Sequence, residues 1–292
     1  MFGECHAHVA MNGVNYAQAM ALHVNGPDEA HIHAFFESYR TRGIEFIRDG
    51  GDKYGVSRRA AQLAPEYGID YRTPIFAIHK KGHYGSIVGR AFETMRDYAQ
   101  LVEDADREGA DFIKIMTTGL MDFNEFGRIT HEDLDAAEVR EMVHIAHERG
   151  FAVMSHTNGK RAVLDAVEAG VDSIEHGNFI DDECIAALAE SRTCYVPTAT
   201  VARNLIGSGR FDDAILTRIW EASRHAIARA VDAGCLIALG SDAGAVLVPH
   251  GQGTLDEYAC FADAIPDRTL RDRKLEEGEN FIRTTFRRNN RR

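Results

Sequence analysis

Histidine, lysine and aspartate residues stand at or near the ends of five short apolar runs in this sequence. The set consists of His6, His8, Lys114, His156, His176 and Asp242. Imidazole and carboxylate groups are ligands that bind divalent metals such as zinc. His6 and His8 are two residues apart, so on a strand both side chains point to the same side and can reach one ion. The set therefore predicts a metal site.

Each of these signals is weak when it is taken alone. A histidine at a strand end is more often part of a hydrogen-bonded structure, and a lone aspartate after a strand is usually a helix N-cap. Lys114 is harder to dismiss, because it interrupts the apolar run Phe112–Met116 and an unpaired buried ammonium is costly. The joint pattern, with the six residues at or near the ends of five runs, favours a metal site over these structural alternatives.

The runs that would position this set alternate with amphipathic stretches. Eight runs rich in Val, Ile and Phe are predicted strands, near Phe2–Val9, Ile44–Arg48, Arg72–Ile78, Asp111–Met116, Phe151–Ser155, Asp172–Glu175, Thr193–Pro197 and Cys235–Leu239. Apolar residues at helical spacing are clear over Ala136–Arg149 and Arg161–Ala169, and each stretch is followed by a glycine. Helices that alternate with strands predict a parallel sheet, and eight such units predict a closed barrel.

The predicted fold class is therefore α/β, as a single (β/α)8 TIM barrel. Active-site residues of such barrels sit at the C-terminal ends of the strands, where the six residues of the set lie. A barrel of this kind needs about 250 residues, and no linker or break in composition divides the 292 residues. We expect one barrel domain over residues 1–292, with residues 264–292 as a charged helix.

Composition narrows the classes of partner and compartment. The 33 basic and 45 acidic residues give a formal net charge of −12, which argues against binding to nucleic acid. No apolar run approaches the roughly 18 residues of a membrane helix, and no signal peptide is recognisable. The five cysteines are irregularly spaced, which is typical of a reducing compartment. We expect a cytoplasmic protein with a small-molecule substrate and no membrane partner, and a homo-oligomer is left open.

These segments closely resemble the amidohydrolase superfamily in its binuclear subtype, over nearly the whole chain. The most specific stretches are Glu4–Val9, Asp111–Gly119, Val171–Gly177 and Ala238–Gly244. They are similar to the branch that contains imidazolonepropionase-like proteins and metal-dependent Xaa-Pro and Xaa-Arg/Lys dipeptidases. Three further segments also resemble that branch, namely Phe46–Gly51, Gly82–Gly85 and Tyr195–Thr198.

The resemblance implies two divalent metal ions, with zinc as the expected element. His6 and His8 would bind the more buried ion, and His156 and His176 would bind the second one. Lys114, carboxylated on its amine by carbon dioxide, would bridge the two ions. Carboxylation turns the amine into a carbamate anion, which removes the problem of a buried cation.

The resemblance also implies a reaction. Asp242 would bind the first ion and contact a bridging hydroxide, which attacks a carbonyl group that the second ion polarises. Asp242 would take the proton of the water and pass it to the leaving amine. Family members usually carry a small β-sandwich built from segments before strand one and after strand eight. Because this chain begins at strand one, we expect that accessory sandwich to be absent.

Hydrolysis of an amide bond in a dipeptide or N-acyl amino acid is the leading functional hypothesis. Hydrolysis of a lactone, an ester or a phosphotriester would use the same ligands and stays open. Deamination is disfavoured, because the mononuclear deaminases of the superfamily lack the strand-four lysine and carry a glutamate that is missing after His156. A non-catalytic barrel would usually have lost ligands, and none of the six is missing.

Loops at the mouth of the barrel supply the candidate substrate-binding residues. These are His83, Tyr84, Arg203 and His250, which could offer a cation or a hydrogen-bond donor to a substrate carboxylate. At the end of strand two, Arg48 and Asp49 could form a structural ion pair, an interpretation that we favour over a catalytic role.

Overall fold

Strands and helices alternate along the chain in the computed structural model, which describes residues 2–288. In this part the strands are β1 (Glu4–Ala7), β2 (Phe46–Asp49), β3 (Asp70–Arg72), β4 (Ala77–Lys80), β5 (Gly89–Phe92), β6 (Ile113–Met116), β7 (Val153–Thr157), β8 (Ser173–His176) and β9 (Cys194–Val196). The helices are α1 (Tyr16–Leu22), α2 (Glu29–Arg40), α3 (Val56–Leu63), α4 (Met95–Glu108), α5 (Ala136–Glu148), α6 (Lys160–Ala169), α7 (Asp182–Glu190), α8 (Thr200–Leu205), α9 (Asp213–Asp232), α10 (Gln252–Ala264) and α11 (Arg268–Thr285), with a 3-10 turn at Ala64–Tyr67. None of these helices is long and apolar enough to cross a membrane.

The third strand of the barrel is bent into two pieces. The predicted continuous strand Arg72–Ile78 is wrong in this respect, because β3 pairs with β2 while β4 pairs with β6 and with the unpredicted β5. Pro74, which has no N–H donor for a ladder, lies between the pieces, and Ile75 follows it with a φ of 67°. The bend lets the two halves of one strand serve different neighbours, and every strand pair is parallel.

The predicted eighth strand, Cys235–Leu239, closes the ring although only one isolated bridge forms along it. Ile237 bridges to Tyr195, and the Ala238 amide donates to the Tyr195 carbonyl at 3.0 Å. On the other side, the Cys5 amide of β1 donates to the Leu239 carbonyl at 2.9 Å. The last segment therefore connects the six-stranded sheet, through β9, to the three-stranded sheet, through β1.

Helix α11 covers one end of the barrel. Its Ile282 packs with Phe46, Phe112 and Met154, at or near the N-terminal ends of their strands, and Phe286 just beyond the helix joins the same buried cluster. The ring centroids of Phe112 and Phe286 are 5.3 Å apart. The sequence predicted a charged helix over 264–292; the helix spans Arg268–Thr285, and residues 289–292 lie outside the described part of the chain. The opposite end of the barrel is left for the polar set.

Candidate metal centre and substrate cavity

Three members of the polar set lie together where the predicted eighth strand meets β1. The Nε2 atoms of His6 and His8 lie 3.5 and 3.4 Å from Oδ1 of Asp242. The three side chains each offer a ligand atom, all within 4.8 Å of one another. Gly50 makes room for this cluster, because a Cβ atom there would lie 2.2 Å from Cε1 of His8. These three residues form the tightest candidate metal site.

Two more histidines continue the cluster. The ring centroid of His176 is 5.0 Å from that of His6 and 4.6 Å from that of His156. Nδ1 of His176 bonds Oγ1 of Thr198 at 2.7 Å, and Nε2 of His156 bonds the Gly119 carbonyl at 3.0 Å. Each ring thus has one nitrogen fixed by the protein and one nitrogen left for a metal.

Left-handed backbone conformations turn several of these side chains into the site. The backbone φ angle is 71° at His176, 50° at Thr198 and 58° at Asp242, and residues other than glycine rarely adopt such values. On a regular strand, neighbouring residues point to opposite faces, yet both Glu175 and His176 reach the cluster around His6. The left-handed turn at His176 explains this, and such strain is typical of functional sites.

Lys114 stands in the same cavity without a partner. Only 1% of the residue is exposed, and among the described residues nothing bonds its Nζ atom. Burial is the main cause that lowers the pKa of this amine. Nε2 of His6 and Nδ1 of His8 are likewise buried and unpartnered. The unpartnered Nζ of Lys114 and Nε2 of His6 belong to residues that border one cavity, which is what a site for cations and a carbamate requires, so the residues fit a binuclear metal centre.

The histidines are held in the neutral form that binds metal. Burial, with the nearby charge of Lys114 as the second cause, lowers the pKa of both His8 and His156 to about 3. Burial also lowers the pKa of His6 and His176 well below the ordinary value. Burial raises the pKa of the Asp242 carboxyl, and Lys114 opposes that shift.

A buried carboxylate behind the cluster orients His6. Oε2 of Glu175 lies 2.7 Å from Nδ1 of His6, and Oε1 accepts from the Arg48 guanidinium at 2.8 Å. The interpretation of Arg48 and Asp49 as an ion pair is therefore wrong. Asp49 instead accepts from the Val9 amide at 2.9 Å and helps to fix the end of β1.

A second buried carboxylate ties the first strand to the last. Oε1 of Glu4 accepts from the backbone amides of His6 and Ser241, at 3.0 and 2.8 Å. Oε2 accepts from the hydroxyl groups of Ser241 and Thr254. Glu4 thus holds the segment that carries Asp242 against the segment that carries His6.

The polar set lines a cavity of about 230 Å³. All six residues border it, and most of the other walls are aliphatic or aromatic. The larger members of those walls are Tyr16, Tyr84, Ile87, Leu120, Phe123 and Phe211. The site therefore joins a polar floor to an apolar enclosure.

Of the four candidate substrate-binding residues, Tyr84 lines this cavity, with its ring centroid 5.0 Å from that of His156. His83 bonds the Glu132 carbonyl, Arg203 pairs with Asp263 at 2.9 Å, and His250 bonds the His8 carbonyl at 3.2 Å. Those three are not among the residues that border the cavity.

Sequence reasoning missed three residues that the structure brings to the site or its support, namely Glu175, Arg210 and Phe211. Glu175 precedes His176, and a charged residue inside a strand was a signal for it. Arg210 and Phe211 lie in a glycine-rich turn, for which strand-end reasoning gives no signal.

A family model described as the amidohydrolase family matches residues 29–272. The chain belongs to the amidohydrolase family. Solved barrels of the family confirm the predicted fold class. This chain is 21% identical to a Xaa-Pro dipeptidase with bound methionine, covering 97% of this chain and 75% of that one with a TM-score of 0.77. The structure of Aspergillus niger ochratoxinase is 18% identical, covering 96% and 71% with a TM-score of 0.75.

Curated relatives are matched over part of their length. The chain is 30% identical over 192 residues to ochratoxinase of Aspergillus niger, covering 63% of this chain and 38% of that protein. It is 28% identical over 185 residues to an uncharacterised protein of Mycobacterium tuberculosis, covering 60% and 48%. The chain therefore spans less than half the length of the curated relatives it matches.

Proposed function

We propose that this protein is a metal-dependent hydrolase that cleaves an amide bond in a dipeptide or an N-acyl amino acid. The observation that carries the proposal is the meeting of four histidines, Lys114 and Asp242 on the floor of one largely apolar cavity. Family membership and the likeness to a dipeptidase and an ochratoxinase support the same class of reaction.

Each of the two ions would have its own donor set. His6, His8 and Asp242 would hold the first ion, and His156 and His176 would hold the second. Lys114, as a carbamate, would lie between them. Two divalent ions, with zinc expected, would supply the Lewis acidity that activates a water and polarises a carbonyl group.

Residues of the chain itself would transfer the proton and enclose the substrate. Asp242 accepts the proton of the attacking water, whose oxygen bonds to the carbonyl carbon of the substrate. The carbon–nitrogen bond then breaks, and Asp242 returns the proton to the amine that leaves. Tyr84 and the apolar walls enclose the substrate and keep bulk water from the reacting bond.

The test is a competition among substrate classes with protein reconstituted with zinc, manganese or cobalt after chelation. The values of kcat/KM would be compared for dipeptides, N-acyl amino acids, lactones, a paraoxon-like triester and nucleobases. We expect an amide to be the best substrate and the chelated protein to be inactive. A triester or nucleobase that outruns every amide by tenfold or more would overturn the proposal, as would full activity without metal.

A further inference from the structure

An arginine stands at the border of the otherwise apolar part of the cavity. Arg210 lines the cavity and belongs to the turn between α8 and α9. Gly207 and Gly209 give this turn left-handed φ values of 78° and 72°. The Gly207 amide donates to Asp213 at 2.8 Å, and the Arg210 amide donates to Oγ of Ser208 at 3.3 Å. The turn is thus held by its own hydrogen bonds, with Arg210 at its end.

The charge of Arg210 is not neutralised by the described part of the protein. No carboxylate there lies within ion-pair distance of its guanidinium, whereas Arg203, one helix earlier, is paired with Asp263 at 2.9 Å. Among residues 2–288, Asp242 is the one acidic residue that borders the cavity, and its Oδ1 faces His6 and His8. The chain has a formal net charge of −12, so the unpaired positive charge of Arg210 is opposite in sign to the charge of the chain as a whole. Such a cation attracts an anionic group of a ligand.

Aromatic rings adjoin this cation. Phe211 stacks on Phe123, with ring centroids 5.2 Å apart and planes inclined by 29°, and the Arg210 guanidinium lies 5.7 Å from the Phe211 centroid. Both rings line the cavity, together with Leu120 and Leu205. A carboxylate at Arg210 would therefore have an apolar surface beside it. The cavity volume of about 230 Å³ suits a small ligand.

We propose that Arg210 binds the carboxylate of the amino acid that leaves in the reaction, and that Phe123 and Phe211 contact the apolar side chain of that amino acid. This inference rests on the proposed amide hydrolysis. A guanidinium presents parallel N–H donors that match a carboxylate, and the neighbouring rings favour a large apolar group over a polar one. The protein would thus select substrates whose leaving half is an apolar amino acid with a free carboxylate.

The test uses equilibrium binding, so that it does not depend on turnover. Binding of N-acetyl-L-phenylalanine and of its N-methylamide would be measured by calorimetry on the chelated full chain, which removes metal as a competing site for the carboxylate. We expect the wild type to bind the acid at least tenfold more tightly than the amide. Arg210→Met should abolish that preference, because a hydrogen bond to a charged group contributes about tenfold to a hundredfold in affinity. Arg210 is exposed, so the substitution leaves the core intact.

Arg203→Met is the matched control, because Arg203 is a nearby arginine that does not border the cavity. The control variant should keep the preference for the acid. An unchanged preference in Arg210→Met, an equal loss in Arg203→Met, or a wild type that binds acid and amide equally would overturn the assignment. A preference lost only in Arg210→Met, together with no cleavage of any amide, would retain Arg210 as a carboxylate site and refute the proposed reaction.

The aromatic part of the proposal has its own variant. Phe211→Ala should lower the affinity for N-acetyl-L-phenylalanine by about tenfold while N-acetyl-L-alanine binds almost unchanged, because only the larger side chain reaches the rings. A parallel loss for both ligands would show that Phe211 only supports the turn, and the contact to the side chain would then be wrong.

Discussion

Oε2 of Glu175 lies 2.7 Å from Nδ1 of His6, and both groups are buried. The same carboxylate pairs with the Arg48 guanidinium, so its position is fixed from two sides. A carboxylate at Nδ1 keeps the proton on that nitrogen and leaves the lone pair on Nε2, which faces Asp242. The donor atom of His6 is thereby selected by a residue that would not itself touch the metal.

Glu175→Gln should weaken metal binding by about tenfold to a hundredfold, because an amide holds the imidazole less firmly than a carboxylate does. The measurement is competition for zinc against a chelator of known affinity, under conditions in which circular dichroism shows both proteins folded. Glu257→Gln is the matched control, since Glu257 is also fully buried but bonds Ala199 and Thr200. Equal zinc affinity in wild type and Glu175→Gln would contradict the role of Glu175.

Lys114→Met should stabilise the metal-free protein and impair the metal-loaded one. The free amine is buried without a partner, and replacing it by an apolar side chain of similar length should raise the free energy of unfolding by about 1–3 kcal/mol. Without the carbamate the protein should hold fewer than two ions. Urea unfolding after chelation tests the first expectation, and elemental analysis tests the second. Two tightly bound ions in Lys114→Met would exclude the bridging role.

Asp242→Asn should keep the fold and lose turnover. An amide fills the same space between His6 and His8 but cannot accept the proton of the attacking water. Loss of a general base lowers kcat by about 10²–10⁴-fold. The rate would be measured with metal content determined on the same sample. A variant with near wild-type kcat and both ions present would refute Asp242 as the proton acceptor.

His147 should give a pH-dependent contribution to stability. A hydrogen bond that the imidazole donates to the Asp172 carboxylate, 2.9 Å away, raises the pKa of this histidine in the folded protein. The contribution is therefore fully present below the ordinary pKa of 6.5 and is lost as pH rises through the folded value. Because the pair is partly exposed, we expect only about 0.3–0.5 kcal/mol.

Urea midpoints of the wild type and His147→Gln at pH 5.5 and 8.5 would measure this contribution. The two proteins should differ at the lower pH and agree at the higher one. His144→Gln, on the same helix, is the control, because it also removes an imidazole from α5 and His144 has no ion pair in the described chain. A difference for His147→Gln that grows with pH would contradict the sign.

The types of the residues and the spacing of apolar residues along the chain were enough to predict which six polar residues line the cavity. The six polar residues stand at strand ends, and parallel strands bring those ends together whatever the loops do. The helices α5 and α6 were predicted to within one residue at each end, because their apolar spacing is regular and a glycine follows each one. Helices predicted from local spacing of this kind also form in the structure, because tertiary packing favours the same conformation.

Contacts across the barrel could not be predicted in the same way. The partner of Arg48 is Glu175, 127 residues away, and the choice between Glu175 and the adjacent Asp49 depends on the registers of two strands that do not neighbour each other. Arg210 reaches the cavity through a turn between two helices, whose conformation has no periodic signal. The bend at Pro74 was also missed, although a proline inside a predicted strand is a signal against a continuous ladder.

The bonds of Glu4 to Ser241 join residues that are 237 positions apart in the chain. At synthesis rates of about 5–20 residues per second, roughly 10–50 s pass between the emergence of His6 and that of Asp242. During that interval the nascent chain has two of its ligands and lacks the third, so the tightest site cannot yet form. Metal would then be acquired at this site only after Asp242 has emerged, and its binding would report that the segments carrying His6 and Asp242 have met.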